Sequence, residues 1–368
     1  MVAVIGLAAC DQKPVVQPSG RTVKIGIVAP FTGTDRAKGN EGLKGIHTAM
    51  QLMPYLQNGD AIKLVLEDDG NDSVRSVKAL KKLAATDKVS AILTLSSSGP
   101  VLKMADVADD YKTPILALLA THPDITRNNH FISQFPFDDD FQGTVAAQYV
   151  RDELLMDRAA VVINPESAHS RHLGAKFAQE FQTLGGRTTN MVSLSGDTDD
   201  YESVVKRVRR KNPELVYLPI RAKAVIRLVQ IAGKMDWHPQ AMVGDGLLST
   251  VLTKYRKEAR LLDGLLASDF YAHQAPLSAY GKRLKSAYKG NATTYTALGM
   301  EGYALLVNAL NRCRDPADRA CINRMIRSTR NFTGLMGRIS IESDGKARRP
   351  LFVNAIHDGH MKYVVKVY

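Results

Sequence analysis

Two hydroxyl-bearing turns carry the residues most suited to chemistry. Ser96-Ser97-Ser98-Gly99-Pro100 follows the apolar run Ala91-Ile92-Leu93-Thr94-Leu95. Ala120-Thr121-His122-Pro123 follows a second apolar run, Pro114-Ile115-Leu116-Ala117-Leu118-Leu119. Between them Val101, Met104, Val107, Ala108 and Tyr111 recur at helical spacing. Strand, turn, helix, strand and turn in that order place both turns on one edge of a parallel sheet, the edge where ligands bind. Ser98 or Gly99 can cap the helix, with Pro100 in its first turn. The unpaired N–H groups of such a helix start, together with hydroxyls, suit a carboxylate or other small anion. A pair of ordinary strand-to-helix turns has the same composition, so the local residues leave both readings open.

Residue patterns for catalysis are lacking. The chain has no Gly-x-Ser-x-Gly elbow, no phosphate-binding loop and no His-Glu-x-x-His. Its first turn, Pro30-Phe31-Thr32-Gly33-Thr34, lacks the glycine pattern that lets a pyrophosphate approach the backbone. Asp68-Asp69 at a strand end would suit magnesium or a phosphoryl group, but turn and helix-start chemistry before Ser73 accounts for it better. His47 sits beside an apolar helical face, and His122 has no nucleophile near it in sequence. Met50, Met53, Met104 and Met300 fit a core better than a soft-metal site. The expectation is a binding protein without cofactor or metal, not an enzyme.

Composition narrows the partners. The 368 residues suggest about two domains, and 45% hydrophobic with 23% charged residues is ordinary for a chain that buries a core. The net charge is +12 with pI ≈ 9.5, but basic residues are spread along the chain. The densest cluster, Lys206-Arg207-Val208-Arg209-Arg210-Lys211, follows an acidic stretch and reads as a solvated helix face, so no nucleic-acid partner is expected. Residues 2–9 are apolar and end in Leu7-Ala8-Ala9-Cys10, like the end of a secretory signal with a lipobox, although no basic segment precedes them. Cys10 would then be lipidated, and residues 11–21 would form a flexible tether to the membrane of a bacterial envelope. Cys313 and Cys321 remain as an even pair flanking a turn-like loop. They suit either a disulfide in an oxidising compartment or two free thiols, and no metal-site spacing surrounds them.

The elements follow an alternating pattern. Strands are expected at 23–28, 62–66, 91–95 and 114–119, with helices between them. A second series begins near 141, with strands at 159–163, 188–194, 214–218, 241–243 and 265–270. Helices are expected around 278–289 and 296–312. The tail alternates like antiparallel strands around Asp344-Gly345 and Asp358-Gly359 turns. The fold class is α/β, with parallel sheets covered by helices.

These residues, in this order, resemble a known family. Val23-Lys24-Ile25-Gly26-Ile27-Val28-Ala29-Pro30-Phe31-Thr32-Gly33, the Leu66-Glu67-Asp68-Asp69 strand end, the serine turn and Ala120-Thr121-His122-Pro123-Asp124-Ile125-Thr126 lie in its first half. Phe332-Thr333-Gly334-Leu335-Met336-Gly337-Arg338-Ile339 and the two late Asp-Gly turns complete it. Residues 21–368 are similar to type I periplasmic binding proteins, specifically the leucine/isoleucine/valine substrate-binding proteins of ABC transporters. The resemblance implies two Rossmann-like lobes joined by a three-crossover hinge, with crossovers near 139, 267 and 337. One lobe would hold 22–139 and 268–336, the other 140–267 and 337–368, with 1–21 as leader and tether. It further implies capture of an amino acid or related small carboxylate between the lobes, delivery to transporter membrane subunits, and a periplasmic, lipid-anchored location. A lobe pair of this kind that no longer delivers solute, and instead regulates an envelope partner, is the alternative.

Site residues follow from the same resemblance. The serine that grips a ligand carboxylate falls among Ser96, Ser97 and Ser98, and the second turn supplies Leu119, Ala120 and Thr121. Asp245 is the candidate for an ammonium. Three pocket positions depart from the family's tyrosines and carry Lys38, His169 and Arg221 here. If all three face the cleft, they favour an acidic ligand; a shift of one or two residues in the correspondence would instead turn them to solvent.

Overall fold

The computed structural model describes residues 17–195 and 200–368; the lipidation expected at Cys10 lies outside them. The first lobe is a parallel sheet of β1 (Thr22–Ala29), β2 (Ala61–Asp68), β3 (Ala91–Thr94), β4 (Ile115–Ala117) and β5 (Ile132–Gln134), in the order β2-β1-β3-β4-β5. In the second lobe β6 (Arg158–Ile163), β7 (Arg187–Ser193), β8 (Leu215–Leu218), β9 (Gln240–Val243) and β10 (Leu266–Asp269) are parallel. The chain then forms a small antiparallel sheet of β11 (Phe332–Thr333), β12 (Arg338–Ile341) and β13 (Ala347–Arg348). Finally β14 (Leu351–His357) and β15 (His360–Val367) add antiparallel to the β10 edge of the second sheet.

The strands explain their own burial. Ile25, Ile27, Val28 and Ala29 are all buried although they alternate between the faces of β1, as a parallel sheet covered on both sides requires. Helices α1 (Arg36–Leu52), α2 (Ser73–Lys81) and α3 (Ser98–Tyr111) follow the first three strands, and α4 (Asp139–Gln148) opens the second lobe. There α5 (Ala168–Thr183), α6 (Tyr201–Arg209), α7 (Ala222–Lys234) and α8 (Leu247–Lys254) follow in turn. The basic cluster lies on and just after α6, whose Val204, Val205 and Val208 are buried while the Lys and Arg side chains are exposed.

After β10 come α9 (Ala279–Ala287), α10 (Thr294–Asn311) and α11 (Arg319–Arg327). Glycines seat α10 on α1: a Cβ on Gly45 would lie 2.1 Å from Thr296 O, and one on Gly299 would lie 2.1 Å from Gly42 O. The loop between α10 and α11 is closed by a Cys313–Cys321 disulfide.

The chain crosses between lobes after β5, after β10 and before β14. Before the last passage, expected near 337, β11, β12 and β13 form a sheet of their own, and β14 joins the second sheet from Leu351 onward. The Gln134 N–H donates to Gly345 O at 2.8 Å, and Lys346 pairs with Asp138 at 2.6 Å. The second passage follows Asp269, since β10 stays paired with β14 to that residue.

One buried cation ties the three crossings together. The Arg349 guanidinium lies 4.8 Å from the ring centre of Phe135 and 5.6 Å from that of Phe270, which belong to the first and second crossings. Its Nη2 donates to Glu301 Oε2 of α10 at 2.7 Å, both side chains being 3% exposed. Removing one partner of such a pair leaves an uncompensated buried charge. Glu301→Ala is expected to lower unfolding free energy by about 3–5 kcal/mol in chemical denaturation; a loss under about 1 kcal/mol would show that the crossings are held otherwise.

Candidate functional site

Turns after strands of the two sheets meet across a cleft: Thr121, after β4, with His169, after β6, and Asp35, after β1, with Arg221, after β8. The first turn is braced by the acidic pair. Asp68 accepts from the N–H groups of Phe31, Thr32 and Gly70 and from Thr32 Oγ1, and these bonds overcome burial to hold its carboxyl well below the usual range. Asp69 is fully buried and accepts from Asn71 N–H, Ser76 Oγ and Ser96 Oγ. The acidic pair is therefore turn chemistry.

The three serines separate into distinct roles. Ser96 is fully buried, with its hydroxyl held by Asp69 and Thr94, so it braces the wall from behind rather than facing a ligand. Ser98 Oγ accepts from the N–H groups of Thr121 and His122, at 3.2 and 3.3 Å, and so fastens the second turn to the first. Ser97, rather than Ser98 or Gly99, is the N-cap of α3, and it makes no side-chain capping bond. Its N–H is taken by Asn71 Oδ1 at 2.9 Å, while Asn71 Nδ2 donates to Asp35 Oδ2 at 3.0 Å. A Cβ on Gly99 would meet nothing within 4 Å, so the first turn of α3 opens onto free space.

In the second turn Ala120 is buried and its carbonyl accepts from Gln134 Nε2, while Leu119 is half-buried. Thr121 points across the cleft, with Oγ1 3.0 Å from His169 Nδ1. His169 stands in the first turn of α5, set there by Ser167, whose hydroxyl caps the helix at Ser170 N–H. The same Nδ1 lies 2.9 Å from Asp139 Oδ1, and Nε2 lies 3.9 Å from Asp245 Oδ1. Gln142 completes this group: with its nitrogen facing Asp245, its amide donates to Oδ1 at 3.0 Å and accepts from the Asp245 N–H at 2.9 Å.

A second charged group lies at the α1 end of the cleft. Asp35, the N-cap of α1, holds Lys38 Nζ at 3.2 Å on Oδ1 and Arg221 Nη2 at 3.0 Å on Oδ2. Arg221 is the N-cap of α7 in the other lobe, so this pair spans the cleft. Burial pushes the Asp35 carboxyl up, but the two cations outweigh it and hold it below its ordinary value. Lys38 and Arg221 thus meet on Asp35, while His169 lies beside Asp139 and Asp245. Asp35, Asp139 and Gln142 were not among the sequence candidates. Asp139 lay inside the Asp138-Asp139-Asp140 run, where nothing separates a helix cap from a site residue.

The remaining wall is polar. Tyr295 Oη of α10 donates to Gly246 O at 3.1 Å, and Thr294 Oγ1 donates to Asp269 Oδ1 at 2.8 Å. Burial, then the Asp245 charge, raises Asp269 to about 7. His122 and His172 meet across the cleft with ring centres 4.7 Å apart, and His172 Nε2 lies 2.8 Å from Asp140. Among the described residues no His, Cys, Asp or Glu group of three could hold a metal ion.

The sequence matches the family described as periplasmic binding protein over residues 22–360. The chain belongs to that family. Within it the kinship is with the type I proteins of the leucine/isoleucine/valine kind. A Leu/Ile/Val-binding protein homologue from Brucella abortus is 22% identical over 351 residues, covering 92% of this chain and 91% of that one. Other curated relatives match over as little as 53% of their own length. The crystal structure of a leucine-binding protein from Thermotoga maritima superposes with a TM-score of 0.87 at 26% identity, covering 94% of this chain and 98% of that one. A solute-binding protein of an ABC transporter from Rhodopseudomonas palustris, solved with 3,4-dihydroxybenzoic acid, shares the fold at a TM-score of 0.82 and 17% identity, covering 94% and 97%. The family is one of extracytoplasmic binding proteins rather than enzymes.

The protonation of His169 is testable. Burial alone would lower its pKa from 6.5, but the charge and hydrogen bond of Asp139, with the Asp245 charge, raise it to about 9. A raised folded pKa means that its stabilising contribution is complete below about 6.5 and is lost as pH rises through about 9. The His169 ring resonances should titrate with a midpoint near 9 in NMR, and Asp139→Asn should move that midpoint down.

Proposed function

We propose that this protein is the extracytoplasmic solute-binding component of an ABC transporter. It captures an amino acid or related small carboxylate between its lobes, and closure of the lobes forms the surface that the membrane subunits recognise. The observation that carries this reading is the convergence of the first turn of α3, Thr121, His169, Lys38 and Arg221 on one cleft. Helix starts and cations on both walls favour an anion, whose binding would draw the lobes together. Relatives named for amino acids, and a shared fold that holds an aromatic acid, agree with a carboxylate-bearing solute. Lipidation at Cys10 would keep the body close to its transporter, in the periplasm and tethered to the envelope.

The cross-cleft bonds favour one second reading. Arg221 to Asp35, and Thr121 to His169, join the lobes through the protein's own side chains. A regulatory protein would use such self-closure to present a fixed surface to an envelope partner.

A thermal-shift screen of amino and organic acids separates these readings, because a ligand that binds only the folded form raises the melting temperature. At least one carboxylate is expected to raise it; no shift across both classes would remove the solute-binding reading. Ser97→Ala is expected to weaken that ligand about tenfold by calorimetry, with the melting temperature of the free protein unchanged.

A further inference from the structure

The charges of the cleft are layered. Arg221, Lys38 and His169 have side chains 58%, 29% and 26% exposed, whereas their partners Asp35, Asp139 and Asp245 are 6%, 0% and 16% exposed. The cations thus stand in front, with the carboxylates behind them. Asp35 holds two cations at once, which leaves one positive charge unmatched at that end. At the other end the His169 imidazole lies between Asp139 and Asp245, two carboxylates to one cation, and the Gln142 amide takes the Asp245 oxygen that faces it.

A ligand ammonium would find no carboxylate in this group without a protein cation or amide already on it. It would compete with His169 for Asp139, with the Gln142 amide for Asp245, or with Lys38 and Arg221 for Asp35, and the more exposed member of each ion pair is the cation. A carboxylate displaces nothing. It meets the guanidinium, ammonium and imidazole donors, together with the first turn of α3.

We infer that the cleft is built for an organic acid without an ammonium group, a mono- or dicarboxylate, rather than for an α-amino acid. His169 fills from within the protein the place that a ligand ammonium would need. One carboxylate faces the start of α3, Thr121 and His169, and a second acid group on the same ligand reaches Lys38 and Arg221. This rests on the solute-binding reading above and narrows it to a chemical class.

Calorimetry with matched pairs that differ only in the amino group tests it: 4-methylpentanoate against leucine, 3-phenylpropanoate against phenylalanine, and glutarate against glutamate. In every pair that binds, the amino-free acid is expected to bind at least about tenfold more tightly. Amino acids binding as tightly as their partners, or more so, would overturn the inference and leave the solute-binding reading intact. Failure of all six to bind would overturn both. His169→Gln removes the internal cation and is expected to weaken the acids and to shrink the ratio within each pair. An unchanged ratio in a folded His169→Gln protein would also overturn the inference.

Discussion

Three passages of chain between two lobes would leave the lobes loosely related unless something fixed the passages to one another, and here a single guanidinium does so. Arg349 stands against aromatic rings from the other two crossings and pairs with Glu301 from α10. Taking an arginine out of water is costly, and one carboxylate at 2.7 Å offsets that only with further contacts to the rest of the group. The faces of Phe135 and Phe270 supply them. The arrangement reaches the cleft through α10, which the Gly45 and Gly299 contacts seat closely on α1 and whose Thr294 and Tyr295 bond to the second lobe. The helix that anchors the crossings therefore also forms part of the wall.

Most of this architecture was legible in the sequence, because strands buried on both faces leave continuous apolar runs such as Ile25 to Ala29, and helices repeat with their own period. The region of the last crossing shows what local pattern leaves open. Residues 338–341 alternate like a strand of the main sheet, yet short-range pairing with Phe332-Thr333 and the bond from Gln134 to Gly345 keep them with the first lobe. Local pattern reports that a strand forms, not which sheet takes it. The serine turn shows the same limit at the site. Three adjacent serines are alike in sequence, but the backbone turns Ser96 to Asp69, Ser98 to Thr121 and only Ser97 toward the free side of α3. Lys38, His169 and Arg221 were legible as departures from a family pattern. Asp35 and Asp139 were not, since each carries the ordinary signature of a helix start, and their pairing to those cations needs the two lobes to face each other.

If the lobes close on a solute as proposed, the exposure of the cross-cleft bonds sets how far they close without one. Arg221 is 58% exposed, and an ion pair with so wet a partner contributes at most about 1 kcal/mol. The contact between Thr121 and His169 is a single hydrogen bond, worth about 1 kcal/mol. Together these fall short of the ~5.5 kcal/mol that would turn a mostly open population into a mostly closed one. These bonds would therefore bias the lobes without locking them, and the larger contribution would come from outside the protein. On the function proposed above it comes from the solute, which meets Arg221 and His169 on one lobe and Lys38 on the other, in front of Asp35, Asp139 and Asp245. A carboxylate between the walls would add charge-assisted bonds to both lobes at once. Its differential affinity for the closed form would then be set by the donors that both lobes present to it together, which is the condition for a ligand to control the lobes.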